Sequence, residues 1–311
     1  MVSSAPSGTP HTVGDVLTEL RAGPLTMVDP GEIADLRAWF DEEAGTLIAD
    51  LPPDLLPMRL PKQRLRDVLT CETRFLALEA DRRGLNPAQL LGRMIDACVH
   101  HHVLLGPRAA LDDPVQAARD CFEADHAVEE LTLLDGLDSV TRASLAEELI
   151  ERVKRLQQGW EGIDGAWWPR CESPATAVLC GGSLVVSGKF DVELGGGASG
   201  LPGVLIEVKS GRRSDVHRFD GHWYALLASL RDGTAPAAVV TWTADDDAVL
   251  ADPVYVGTLE VAVKRALVAT QHLVHLLQGS AANRQPGPWC RWCPVRSDCD
   301  EGTEFLADLD G

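Results

Sequence analysis

Apolar positions recur at helical spacing through the first half of the chain and gather into short β-rich runs after Trp160. A helix is predicted near 30–44. Residues 62–83, KQRLRDVLTCETRFLALEADRR, place Leu65, Leu69, Phe75 and Leu76 at helical intervals. Another helix over roughly 87–105 follows Asn86-Pro87, a cap and a first-turn proline. Two more are expected between 112 and 152, divided near Asp135-Gly136. GGSLVVSGKFDVEL and GVLIEVKSG then read as two strands of a hairpin whose long tip is GGGASGLPG. A helix at about 216–230, strands at about 237–243 and 253–257, and a helix at roughly 258–279 lead into a tail rich in proline and cysteine. This order predicts an α/β core with a helical insertion at about 107–160.

Charge divides the chain further. Residues 15–58 carry ten acids against Arg21 and Arg37, so 1–58 reads as an acidic N-terminal extension, its first 14 residues a loose arm. Between Arg59 and Arg93 the balance reverses, with eight basic residues and four acids, and 112–152 returns to twelve acids and three arginines. The formal charge of −19 excludes a basic sleeve for nucleic acid along the whole chain, because a polyanion is repelled on average; a local basic groove remains open. No secretory signal opens the sequence and no apolar run approaches the length of a bilayer span. The expected location is the cytoplasm, without a membrane partner, where clustered cysteines are better read as metal ligands or catalytic thiols than as disulfides.

Only five lysines occur, at 62, 154, 189, 209 and 264, so a lysine inside a motif stands out. Lys209 ends IEVK, two positions after Glu207, and in a strand the two side chains share a face while Val208 points away. Asp191 lies on the preceding strand. Pairing of the strands would bring its carboxylate near Glu207, and two close carboxylates repel unless a cation such as Mg²⁺ or Mn²⁺ lies between them. A lysine beside such a metal can orient or deprotonate water. The competing reading is a hairpin with a solvated charged face.

The second constellation is PWCRWCPVRSDC, where Cys290, Cys293 and Cys299 form a C-x₂-C-x₅-C run. Three thiolates want a fourth ligand, and tetrahedral zinc or an iron–sulfur cluster are the chemical options. Spacing does not choose among Cys71, Cys98, Cys121, Cys171 and Cys180, although Cys98 and Cys180 suit the role of small buried hydrophobes.

The order of these motifs resembles the PD-(D/E)XK nucleases of the RecB-like branch, above all those with an iron–sulfur staple: the AddB C-terminal nuclease and the CRISPR-adaptation nucleases. RLRDVLTCETRFLAL matches the family's "S-x-L-x-x-x-x-C-P-R-x-F" helix at Leu65, Cys71, Arg74 and Phe75, with Glu72 in place of proline. SGKFD and IEVKSG match "G-x-I-D" and "(D/E)-x-K-(T/S)-G". The resemblance runs from about Arg59 to Asp300. It implies a restriction-endonuclease-like core, a mixed central sheet flanked by helices, with a helical N-terminal part and an iron–sulfur staple. The nuclease domain would occupy 59–311. Cys71 would join Cys290, Cys293 and Cys299 on one 4Fe-4S cluster. Asp191, Glu207 and the Val208 carbonyl would hold Mg²⁺ or Mn²⁺, Lys209 would position the attacking water, and Tyr224 would support it.

Two positions depart from the pattern. The family's "G-x-x-x-H" histidine is Asp96 here, with His100 one helical turn later on the same face. Asp96 is preferred as the third metal ligand and His100 is the alternative. In "Q-x-x-x-Y" the glutamine is Asp220, expected to hold Arg213 or His217. Arg59, Lys62, Arg64 and Arg66, with Arg212, Arg213 and Arg218, could line a phosphate-binding face. The implied activity is metal-dependent DNA cleavage, on single-stranded or end-containing DNA, in repair, recombination or phage defence. DNA is the expected partner, with a helicase or another nucleic-acid-processing protein beside it. The alternative is a weakly active or inactive iron–sulfur or zinc subunit that binds DNA or assembles a larger complex.

Overall fold

The computed structural model describes residues 12–22, 28–80, 84–106, 111–160, 163 and 165–310. The loose arm expected over 1–14 lies outside them as far as residue 11, and Val13 already opens a helix. The chain runs α1 (Val13–Ala22), α2 (Pro30–Ile48), β1 (Met58–Pro61), α3 (Lys62–Thr70), α4 (Glu72–Ala80) and α5 (Pro87–Leu105). Three helices follow, α6 (Pro114–Ala124), α7 (Val128–Gly136) and α8 (Ser139–Gly159). Then come β2 (Arg170–Leu179), β3 (Leu184–Leu194), β4 (Val204–Lys209), α9 (Val216–Asp232), β5 (Ala238–Thr243), β6 (Ala248–Pro253), α10 (Val256–Leu277) and α11 (Asp300–Asp310).

One mixed sheet carries the strands in the order β1-β3-β4-β5-β6, with β2 on the other edge of β3. β2 runs antiparallel to β3 along its length. The opposite edge of β3 is shared: β1 pairs in parallel up to Pro61↔Ser187, and β4 pairs antiparallel from Val192↔Ile206 to Leu194↔Val204. Residues 188–191 lie between these two pairings. The sheet therefore forks there, and the fork is where chemistry collects.

Apolar layers cover both faces. Phe40 of α2, Leu226 of α9 and Val263 of α10 belong to one; Leu17 of α1, Met94 of α5, Phe122 of α6 and Leu149 of α8 belong to the other. Ile33, Leu36, Phe40, Ala44 and Ile48 lie on the buried side of α2, so this stretch of the acidic region contributes to the main core.

Several predicted elements need correction. β1 and β2 were not foreseen: MRLP is short and flanked by proline, and RCESPATAVL is broken by Pro174 and by Glu172, whose φ of 54° interrupts the regular alternation. The helix expected over 62–83 is two, because Cys71 is extended (φ −169°, ψ 119°). The two helices expected between 112 and 152 are three, since His126 at φ 55° adds a break before α7. The last strand is 248–253, not 253–257. Its position is set by the turn after β5, where Trp242 Nε1 donates to Asp247 at 2.9 Å and Asp247 takes φ 49°.

Candidate active site

β4 parts from β3 beyond Ile206 but stays paired with β5 as far as Lys209↔Thr243. Asp191 thus stands on one arm of the fork and Glu207 on the other. The Val208 N–H, freed from the β3 ladder, donates to Asp191 Oδ2 at 2.7 Å. Glu207 is only 2% exposed. Its Oε1 accepts from Lys62 Nζ at 2.8 Å and from Lys209, while its buried Oε2 has no hydrogen-bond partner among the described residues. Lys209 also reaches Asp220 Oδ2, 3.1 Å away on α9, and Arg66 lies 4.0 Å from the same carboxylate. One turn later on α9, Tyr224 packs edge-on to Phe190 at 5.2 Å and receives the Lys62 ammonium over its ring at 4.5 Å. Gly188 makes that packing possible: a Cβ there would stand 2.9 Å from Tyr224 Cε1 and 2.8 Å from Leu227 Cδ1. Asp96 and His100 descend from α5 into a cleft of about 730 Å³ that Lys62, Lys189, Asp191 and Tyr224 also line.

The charges in this cleft are not independent. Burial, then the Glu207 and Asp96 charges, holds the Asp191 carboxyl well above the usual carboxylate range. Burial and the Glu207 charge push Asp96 up to about 6. Burial alone would lower the Lys209 pKa, but Glu207 and Asp220 outweigh it, so the side chain stays a firm ammonium. Lys209 in this state is a cation and not a base. Tyr224 is raised by burial and then by Glu207 and Asp191, so its phenol stays neutral. Among the described residues no three His, Cys, Asp or Glu side chains are already drawn together as a metal-holding group. The donor set nevertheless fits a hard divalent cation. The Glu207 charge raises both Asp96 and Asp191, Asp96 raises Asp191 further, and among the described residues the buried Glu207 Oε2 is an acceptor without a donor.

This coupling has a measurable sign. The folded-state pKa of Asp96 lies above its unfolded value, so the folded protein increasingly bears a buried charge as pH rises through about 6. Asp96→Asn should therefore leave the melting temperature of the metal-free protein almost unchanged near pH ~4 and raise it near pH ~7.5. Thermal denaturation in chelator at the two pH values checks this. An equal shift at both would separate Asp96 from the carboxylate group.

Some placements differ from the sequence reading. Asp220 does not hold Arg213 or His217 but pairs with Lys209, because α9 packs its first turns across the end of β4. Lys62, read as part of a phosphate-binding patch, instead lies on Glu207; its rarity as a lysine was the available signal. Lys189, which the motifs passed over, reaches into the same cleft and pairs with Glu172. Among the arginines expected to meet phosphate, Arg59, Arg212, Arg213 and Arg218 are exposed, Arg218 pairing with Asp252 at 2.6 Å, and Arg64 faces Glu79 at 3.6 Å.

Residues 60–300 match the family model of the PD-(D/E)XK nuclease superfamily. The chain belongs to this superfamily. Its forked mixed sheet with helices on both faces is accordingly the restriction-endonuclease-like core of PD-(D/E)XK proteins. Two solved structures are similar at low identity. The crystal structure of SSO0001 shares 12% identity at a TM-score of 0.35, covering 86% of this chain and 96% of its own. A candidate exonuclease from Eubacterium rectale shares 12% identity at a TM-score of 0.48, covering 75% of this chain and 87% of its own. No curated protein matches the chain. Among the described residues no helix is long and apolar enough to cross a membrane.

The PD-(D/E)XK core is followed by the cysteine tail. Cys71, Cys290, Cys293 and Cys299 line one small cavity together with Trp289, Arg74 and Arg284. The Gly287 N–H donates to Cys290 Sγ at 3.5 Å, and Gly302 has no side chain where a Cβ would lie 3.2 Å from Cys290 Sγ and 3.4 Å from Cys299 Sγ. The extended break at Cys71 turns its thiol toward the tail. Glu72, the departure from proline, anchors this junction: it accepts from the Asn283 N–H at 2.6 Å and contacts His272 Nδ1 at 2.5 Å. The other cysteines are apart from this set. Cys98 is fully buried and its thiol is pushed up to about 12 by burial, and Cys180 contacts the Asp41 carbonyl at 3.3 Å.

Proposed function

We propose that this chain is a divalent-cation-dependent deoxyribonuclease that hydrolyses phosphodiester bonds in single-stranded or end-containing DNA. The observation that carries the reading is Glu207: a buried carboxylate with one oxygen held by lysine and the other unpartnered among the described residues, beside Asp191 across the strand fork. Asp191, Glu207, the Val208 carbonyl and Asp96, or His100 in its place, would hold Mg²⁺ or Mn²⁺. When bound, the cation would supply Lewis acidity toward the phosphate and ease ionisation of water. The remaining work falls to protein groups. Lys209, kept protonated by Glu207 and Asp220, orients water by hydrogen bonding and offsets negative charge as it grows on the phosphate oxygens. Asp220 fills the family's glutamine slot as the carboxylate that aims this ammonium. Tyr224 supports the lysines with its ring and a neutral hydroxyl. In the same reading the four tail-side cysteines carry a 4Fe-4S cluster, which suits four sulfurs around one cavity with an N–H directed at one of them. The cluster acts as a staple. DNA repair, recombination or phage defence, with a helicase or similar processing partner, is the setting such chemistry fits.

Single-turnover cleavage of end-labelled single-stranded and duplex DNA with Mn²⁺, on anaerobically purified protein, tests the activity. Lys209→Ala should lower the rate on the order of 10²–10³ while DNA affinity stays near that of the wild type. Lys209→Arg should not restore it, since the larger guanidinium cannot occupy the space between Glu207 and Asp220 in the same way. Cleavage by Lys209→Ala at the wild-type rate would remove this mechanism.

A further inference from the structure

Lys62 lies outside the motifs by which the sequence resembles its superfamily, yet its ammonium lies in the cleft on the Glu207 carboxylate. It sits where β1 leaves the sheet, directly after the Pro61↔Ser187 pair, and begins α3. A cation in the first turn of a helix opposes the helix dipole, and the first turn of α3 contains no acid to offset it. That position costs stability unless something else holds the charge. Glu207 holds it, at 2.8 Å, through the same Oε1 that receives Lys209.

Two ammonium groups thus share one carboxylate oxygen, and they are not equally bound. Lys209 has a second carboxylate, Asp220, at 3.1 Å, and its end of β4 is paired with β5. Lys62 has the face of the Tyr224 ring, 4.5 Å away, and its long stem borders the cleft beside Asp96, Asp191 and Lys189. A divalent cation arriving at Glu207 repels both ammoniums. Lys209 keeps Asp220 when this happens, whereas Lys62 loses the one carboxylate it pairs with among the described residues. Its four-carbon stem lets it turn into the cleft without moving the backbone. The negative group that enters the cleft with substrate is a DNA phosphate.

We propose that Lys62 is a second catalytic lysine of this site: it occupies Glu207 in the metal-free protein and transfers to a non-bridging phosphate oxygen of DNA once a divalent cation has bound. The proposal rests on the nuclease reading above. It makes Lys62 a competitor of the cation without DNA and a substrate contact with it.

The test uses the full-length protein as wild type, Lys62→Met and Lys62→Arg, with Lys62→Gln as the substitute if Lys62→Met does not fold. Mn²⁺ affinity is measured calorimetrically without DNA. Binding of a single-stranded oligonucleotide in Ca²⁺ is followed against salt, and single-turnover cleavage is followed in Mn²⁺. Lys62→Met should bind Mn²⁺ about tenfold more tightly, since no ammonium has to be displaced. It should also cleave about tenfold or more slowly, and the salt slope of DNA binding should fall by roughly one ion. Lys62→Arg should keep the slope and the weaker Mn²⁺ affinity. Unchanged Mn²⁺ affinity with normal cleavage in Lys62→Met would overturn the proposal. So would tighter Mn²⁺ binding with faster cleavage, which would make Lys62 a simple obstacle. Wild-type protein that neither binds Mn²⁺ nor cuts DNA would instead remove the nuclease reading itself, a result distinct from both.

Discussion

Asp191→Asn and Glu207→Gln should each reduce DNA cleavage by on the order of 10³ or more, and they should move the stability of the metal-free protein in opposite directions. The two carboxylates have different surroundings. Asp191 is held protonation-prone by burial and by the Glu207 and Asp96 charges, and it accepts a hydrogen bond from the Val208 N–H. Asparagine keeps an acceptor for that N–H and removes the charge, so the melting temperature at neutral pH should rise. The sign follows from linkage: a carboxyl whose folded pKa is raised destabilises the fold progressively as pH rises above its unfolded pKa, and neutral replacement removes the penalty. Alanine would be a poorer probe, because an unpaired buried N–H costs about 1–3 kcal/mol and would mask the gain. Glu207 balances two ammoniums. Among the described residues glutamine leaves Lys62 without a paired carboxylate and Lys209 with Asp220 alone, so the melting temperature should fall. Thermal denaturation in chelator and single-turnover cleavage in Mn²⁺ check both halves. Retained cleavage in Asp191→Asn would dismiss the metal-site assignment, and a parallel stability change in both variants would dismiss the charge argument.

Serine at Cys71, Cys290, Cys293 or Cys299 should bleach the brown colour and iron content expected of anaerobically purified protein, whereas Cys98→Ser and Cys180→Ser should keep both. The first four line a single cavity and the latter two lie elsewhere in the fold. Stability should fall with the iron. Cys71 and Cys290 are more than two hundred residues apart, and a cross-link closing so long a loop constrains the unfolded chain by on the order of 4–5 kcal/mol. Glu72→Ala is a useful companion, because it breaks the Asn283 and His272 contacts that hold the tail against Cys71 without touching a thiol. It should lower stability and leave the iron in place. Stoichiometric zinc with no iron in anaerobic protein would replace the cluster by a zinc site. A brown Cys71→Ser protein would move the fourth ligand elsewhere.

Local pattern determined much of this molecule. Asn86-Pro87 marks the start of α5 by chemistry that acts within one turn, and the capping box from Asn86 to Gln89 forms there. Asp191, Glu207 and Lys209 were legible because strand alternation and a hairpin suffice to bring them close, and the C-x₂-C-x₅-C spacing announced the tail before any contact was known. What depended on distant chain was not legible. β1 is four residues whose only reason to be extended is β3, more than a hundred residues later, so no local period could reveal it. The break at Cys71 is set by the docking of Asn283 onto α4, and the partner of Asp220 by the packing of α9 across β4. Lys62 is the clearest case. Its sequence neighbours are basic and suggest a solvated patch, but the fork between β1 and β4 places its ammonium on Glu207, 145 positions away. Short-range periodicity fixes which residues face inward, while only the closed sheet decides which charges meet, because Coulomb interactions depend on distance in space and not along the chain.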